Sequence, residues 1–172
     1  MYSLTEKNAW DIDEPRWIAI RVRSRFEKIA AEALRLKGYE YFLPLHRSTR
    51  VWSDRTKRLD LPLFPGYLFC RFSVRNRVPV LECPGVMHIV GIGKTPIPVD
   101  KDEIAALQKI VHSGLPVAPC DFLQLGQRVR IHSGSLTGVQ GILVDMRKRH
   151  RIVVSVSLLR RSVAVELDRE AV

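Results

Sequence analysis

The chain has 172 residues, 46% of them hydrophobic and 27% charged, a balance that excludes a disordered or fibrous protein and fits a globular one with a sizeable core. Lys and Arg number 28 against 18 Asp and Glu, a formal net charge of +10, which points to a polyanionic partner. No apolar run approaches the roughly 18 residues needed to span a bilayer, and the N-terminus lacks the basic and apolar regions of a signal peptide, so a cytoplasmic location without membrane contact is expected.

The first 15 residues are acidic, with Lys7 against Glu6, Asp11, Asp13 and Glu14, and read as a disordered leader ending at Pro15. From Trp17 to Val22, Ile18, Ile20 and Val22 alternate with Trp17, Ala19 and Arg21, which is a strand period that Arg23 and Arg25 continue. Ser24 and Glu27 then match an S-x-x-E capping box. Phe26, Ile29, Ala30, Ala33 and Leu34 follow at helical spacing, and Gly38 offers a stop.

Tyr39 to Leu45 reads as a second strand. Leu63 to Phe72 reads as a long third one bent at Pro65-Gly66. Between them, Arg47, Arg50, Arg55, Lys57 and Arg58 surround Trp52, with Ser53-Asp54 as a turn, which describes a basic hairpin tip. Val86 to Val90 supplies a fourth strand, and Asp100 to Glu103 caps a second helix carrying Ile104, Leu107, Ile110 and Val111 on one face. The order is β-α-β-β-β-α, an α+β domain over 16–112.

Ser113 to Cys120 contains Ser-Gly, Pro116 and Pro119, so 113–125 is expected to be an interdomain linker. The last body, 126–172, offers short β runs at Arg128 to Ile131, Gln140 to Met146, Ile152 to Ser157 and Ser162 to Leu167. It is expected to be a small closed barrel of five strands, with Gly134, Gly138 and Gly141 at its corners. The Val- and Ser-rich run from Ile152 to Val165 favours strands over helix, so the barrel is expected to stand as β structure. The basic surplus divides between the two bodies: 16–125 holds 18 basic and 10 acidic residues, and 126–172 holds 9 and 4.

Three segments carry a resemblance. RWIAIRVRSRFEKIA at Arg16 to Ala30, LFPGYLFCRF at Leu63 to Phe72 and GQRVRIHSGSLTGVQGILVDM at Gly126 to Met146, continued by SVSLLRRSVAVELD, resemble in this order the NusG family of transcription elongation factors. The middle segment matches that family's F-P-G-Y hallmark and the last its KOW motif, with Gly141 as the characteristic glycine. The resemblance covers Arg16 to Val172.

It implies an N-terminal four-stranded antiparallel sheet flanked by helices, joined by a flexible linker to a five-stranded SH3-like β-barrel. It also implies a monomeric, non-enzymatic factor without cofactors that docks on the clamp helices of RNA polymerase and suppresses pausing. By that resemblance the polymerase-binding surface is Phe64, Pro65, Tyr67 and Phe69 with Ile20, although strand alternation turns about half of such side chains inward. Arg21, Arg23 and Arg25, expected on one strand face, would follow the non-template DNA strand, for which guanidinium groups suit both phosphates and unpaired bases. The hairpin arginines Arg47 and Arg50 are further nucleic-acid candidates.

In the barrel, Leu136, Val139, Leu158 and Leu159, with Arg161, align with the face through which the family binds ribosomal protein S10 or the terminator Rho. Here the set is aliphatic, and Arg160 stands where many relatives have glycine. Together with the basic charge this suggests a specialised antiterminating paralogue; the alternatives are the general factor that assists Rho, and a ribosomal or RNA-binding KOW protein. The Arg147-Lys-Arg149 turn, with Arg151, is a possible RNA or ribosome contact.

Other chemistry finds no support. Gly93-Lys94-Thr95 ends like a P-loop, but His88 occupies the first glycine position and Pro96 and Pro98 bar the following helix. The five histidines show no H-x-x-x-H pair. Cys70, Cys83 and Cys120 never form C-x-x-C, so reduced thiols are expected rather than a disulfide framework or a zinc site.

Overall fold

The computed structural model describes residues 13–51, 55–122, 126–146 and 149–167. The expected Ser53-Asp54 turn beside Trp52, the Arg147-Lys148 turn and most of the expected leader lie outside these residues.

The first body is built on β1 (Arg16–Val22), α1 (Glu27–Leu36), β2 (Glu40–Phe42), β3 (Leu45–Val51), β4 (Thr56–Pro62), β5 (Tyr67–Phe72), the single-turn α2 (Val78–Leu81), β6 (Val86–Ile89), β7 (Gly91–Ile92), β8 (Thr95–Pro96) and α3 (Lys101–His112). The order β2-β5-β1-β6 forms a four-stranded antiparallel sheet. Its register pairs Ile20 with Leu68 and Ala19 with Phe69, so the period-2 alternation sorts the side chains into two layers. Ile18, Ile20, Val22, Leu68, Cys70 and Phe72 pack with Ala30, Ala31 and Leu34 of α1. Ala19 and Phe69 join Ile104, Leu107 and Ile110 of α3 on the opposite side.

Several sequence expectations change in detail. The long strand expected over Leu63 to Phe72 begins only at Tyr67, because Gly66 adopts φ +80 and the Tyr67 N–H donates to Phe64 O at 3.0 Å. Pro then Gly at the two central positions is the signature of a type II turn. The basic tip is a separate two-stranded hairpin, β3 with β4. The P-loop look-alike is a small hairpin, β7 with β8, with no helix at its end. Asp100 caps α3 as expected, accepting the Asp102 N–H at 2.7 Å. The capping box does not form: α1 starts after Phe26 without any side-chain cap.

The C-terminal sheet is antiparallel with five strands, β9 (Val117–Cys120), β10 (Gln127–Arg130), β11 (Gln140–Met146), β12 (Arg149–Val156) and β13 (Arg161–Leu167), ordered β10-β11-β12-β13-β9. Its fifth strand therefore comes from the segment expected to be linker. Pro119 does not prevent this, since β9 is an edge strand paired only with β13, and an edge is where proline is tolerated in a sheet. Four residues, Ser113 to Pro116, separate α3 from β9. Ile152, Val154 and Val156 alternate inward from β12 to meet Val163, Val165 and Leu167 of β13. Gly141 is required by space rather than by dihedral angle: a Cβ there would lie 2.7 Å from Val153 O.

Candidate functional site: two facing apolar surfaces

The inner face of the C-terminal sheet and the α3 side of the first sheet share one apolar cluster. It runs from Phe42, Phe64 and Phe69 through Ile104, Leu107 and Ile110 to Ile131, Leu136 and Val139, with Tyr67, Leu158 and Leu159 packed on it. The surface expected to bind polymerase and the surface expected to bind a barrel partner therefore lie in the same buried cluster. Phe64 and Phe69 meet edge to face with centroids 5.9 Å apart, and Phe42 stacks on Phe69 at 6.1 Å. Leu136 and Val139 are buried, while Leu158 and Leu159 are half-buried.

Tyr67 is met by a cation from each of the two bodies. The Arg21 guanidinium lies 4.7 Å from the ring centre and that of Arg161 lies 5.4 Å from it. Cations over an aromatic face are attracted by its quadrupole. Polar contacts flank the apolar ones. The Glu103 carboxylate on α3 accepts from the Ser157 backbone N–H at 3.2 Å and from its hydroxyl at 2.7 Å, and Lys109 Nζ donates to Thr137 O at 3.0 Å. A cleft of about 690 Å³ remains between α3 and the C-terminal sheet, lined by Ala106 and Lys109 on one wall and Arg128, Arg130 and Val153 on the other. The two bodies thus share one apolar cluster, with this cleft beside it.

Not every expected site residue belongs to this face. Ile20 is fully buried in the opposite layer against α1, because its register with Leu68 turns it away from Phe69. Pro65 is exposed at the turn. Arg21, Arg23 and Arg25 do not form a row on one strand face. β1 ends at Val22, Arg23 leans over Phe26 at 5.5 Å, and Arg25 has a left-handed φ of +70, which breaks the alternation. Arg21 itself is drawn onto Tyr67. In the hairpin, Arg47, Arg55, Lys57 and Arg58 are exposed, and Arg50 stands directly opposite Lys57.

Lys109, Ser157 and Thr137 had no sequence signal, and Glu103 had only that of a local helix cap, whereas the structure pairs it with Ser157 of the other body. Glu27 did carry a signal, but one that pointed to a local cap. Its carboxylate is buried and accepts the Gly66 N–H at 2.8 Å, 39 residues away.

An α+β domain with a central antiparallel sheet, followed by a small five-stranded antiparallel sheet, defines a two-part α+β protein. The family model described as "Transcription termination factor nusG" matches residues 15–108, and the chain belongs to the NusG family of transcription factors. It is 26% identical over 167 residues to the transcription termination/antitermination protein NusG of Buchnera aphidicola, covering 89% of this chain and 92% of that protein. Identity to the protein of the same description from Pseudomonas aeruginosa is 25% over 167 residues, covering 89% and 94%, and to that of Escherichia coli strain K12 it is 26% over 168 residues, covering 89% and 92%. Among solved structures, "Domain interaction in Thermotoga maritima NusG" superposes with a TM-score of 0.57 at 20% identity, covering 92% of this chain and 96% of that one, a likeness of fold.

Proposed function

We propose that this NusG-family chain is an elongation factor that binds RNA polymerase through Phe64, Tyr67 and Phe69 and suppresses pausing and termination, and that the C-terminal sheet recruits an auxiliary partner through Leu136, Val139, Leu158, Leu159 and Arg161. The observation that carries this reading is the shared cluster: two surfaces rich in aromatic and aliphatic anchors cover each other. Aromatic side chains held on rigid strands are strong anchors for a helical partner. While the two surfaces face each other, neither is available, so partner binding draws on the fraction of molecules in which they have parted, and the apparent affinity falls by that fraction. The exposed hairpin cations Arg47, Arg55, Lys57 and Arg58, with Arg50, suit a strand of the transcription bubble.

Polymerase binding by the intact protein, followed by transcription of a pausing template with and without Rho, tests this. Binding that is lost in Tyr67→Ala and strengthened in Glu103→Ala, with pausing reduced, is the expected result. Glu103→Ala removes the carboxylate that holds Ser157 without touching the apolar face. Absence of binding by the intact protein and by Glu103→Ala alike would overturn the reading. Readthrough at terminators supports the antiterminating role, and enhanced Rho-dependent release would replace it with the general one. For the C-terminal sheet, pull-down with ribosomal protein S10 and with Rho separates its two candidate partners.

A further inference from the structure

Glu27 is the buried charged side chain among the described residues, and nothing in α1 requires it. The helix begins at Glu27 without a side-chain cap, so its carboxylate is free to act elsewhere. A buried carboxylate is costly unless hydrogen-bonded. This one sits at the positive end of the α1 dipole and reaches the Gly66 N–H at 2.8 Å.

The partner identifies the role. Gly66 lies in the Phe64-Pro65-Gly66-Tyr67 turn, and its peptide groups are held on both sides. Its N–H donates to Glu27, while its carbonyl accepts from the Val22 N–H at 2.9 Å and from Arg21 Nη1 at 3.4 Å. Arg21 in turn lies over Tyr67, and a Cβ on Gly66 would come within 2.9 Å of the Arg21 Cζ. The turn thus has no room to shift without losing one of these bonds. Loss of the carboxylate would leave a buried N–H unsatisfied in the middle of the face that carries Phe64 and Tyr67.

We infer that Glu27 is a positioning residue that fixes the Phe64–Tyr67 turn in its binding geometry from the opposite layer of the sheet, without itself touching the partner. The inference rests on the reading of that face as the polymerase-binding surface. It also has a consequence within the chain alone, because the same Tyr67 ring meets Arg161.

The test uses the full-length protein carrying Glu27→Ala, Glu27→Asp and Glu27→Gln. Gln keeps an acceptor oxygen at the same reach, Asp withdraws it by one methylene, and Ala removes it. Hydrogen exchange at the Gly66 amide is expected to speed up by about tenfold or more in the Ala and Asp variants, as a bond to a charged acceptor is lost. The β5 amides at Leu68 and Phe69 stay protected, and Gln restores slow exchange. Polymerase affinity and the nuclear Overhauser contact between Tyr67 and Arg161 should weaken in the same order. If Glu27→Ala does not fold, the comparison of Asp with Gln carries the test. Unchanged Gly66 exchange in the Asp variant, or equal loss at Gly66 and throughout β5, would overturn the inference. Failure of the unaltered protein to bind polymerase would overturn the proposed function, while Gly66 exchange and the Tyr67–Arg161 contact would still decide the role of Glu27.

Discussion

The Arg161 guanidinium of the C-terminal sheet lies 5.4 Å from the centre of the Tyr67 ring in the first sheet. Arg21 approaches the same ring from its own body at 4.7 Å, so Tyr67 is flanked by one cation from each body. A single aromatic side chain on the F-P-G-Y turn is therefore a point of registration between the two bodies.

Arg161→Ala should loosen that registration. Removing a cation–π contact at a half-exposed ring is worth about 0.5–2 kcal/mol, so the population in which the bodies have parted is expected to rise by roughly 2- to 30-fold. Nitrogen-15 relaxation is the measurement: the two bodies should tumble more independently, with unchanged chemical shifts in α1 and β1. Arg21→Ala, by contrast, should perturb the Pro65–Gly66 turn itself, because Arg21 also donates to Gly66 O.

In the hairpin, Lys57→Glu should separate stability from binding. Arg50 and Lys57 are direct cross-strand partners in the ladder, and like charges directly opposite each other are destabilising. The substitution should raise the hairpin's thermal stability slightly and at the same time weaken binding to single-stranded DNA. The slope of log K against log salt should become shallower by about 0.7 for each phosphate contact removed. Fluorescence anisotropy with a short oligonucleotide at several salt concentrations measures both the affinity and the slope.

His46 is the second residue of β3, opposite Leu61, and is half-buried. Burial pushes its pKa below the ordinary 6.5, partly offset by a backbone hydrogen bond at Arg47. In this pH range the unfolded chain binds the proton more readily than the folded one, so stability rises with pH. The contribution is present above the ordinary value and is lost as the pH falls through the folded value. Urea unfolding at about pH 7.5 and about pH 5.5 should show an acid loss of stability that His46→Gln reduces.

The Cys70 thiol should be inert in the folded protein. Burial pushes its pKa up to about 12, with neighbouring Cys83 and Glu40 adding to the shift, and the thiolate is the reactive species. Burial likewise raises Cys83 and Cys120. With an aromatic disulfide reagent at about pH 8, Cys70 should react only as fast as the protein opens, and Cys70→Ser should leave the initial rate of thiol release unchanged.

Much of the fold was legible in short-range pattern. The Trp17 to Val22 alternation, the α1 and α3 apolar spacings, the Asp100 cap and the β runs after Gly126 each depend on neighbours within a few residues, and each matches its element closely. The β9 strand was missed because Pro119 within it and Pro116 just before it read as breakers, and only its place at a sheet edge makes Pro119 acceptable. The apolar face proposed for binding was legible as a set of residue types but not as a side. Ile20 and Phe69 are both apolar strand residues, and the register Ile20 with Leu68, Ala19 with Phe69 sends them into opposite layers.

The sequence by itself determined the charge, the α+β class, the main strands and the α1 and α3 helices, and the motifs that tie the chain to the NusG family. All of these reside in residue types and local spacing. The tertiary structure alone decided that Phe64, Tyr67 and Phe69 lie in one cluster with Leu136, Val139, Leu158 and Leu159. It also decided that Glu27 serves Gly66 rather than its own helix. These are contacts between segments some 40 to 90 residues apart, set by sheet register and by the packing of the C-terminal sheet on α3, and no local pattern encodes which surface another part of the chain will cover.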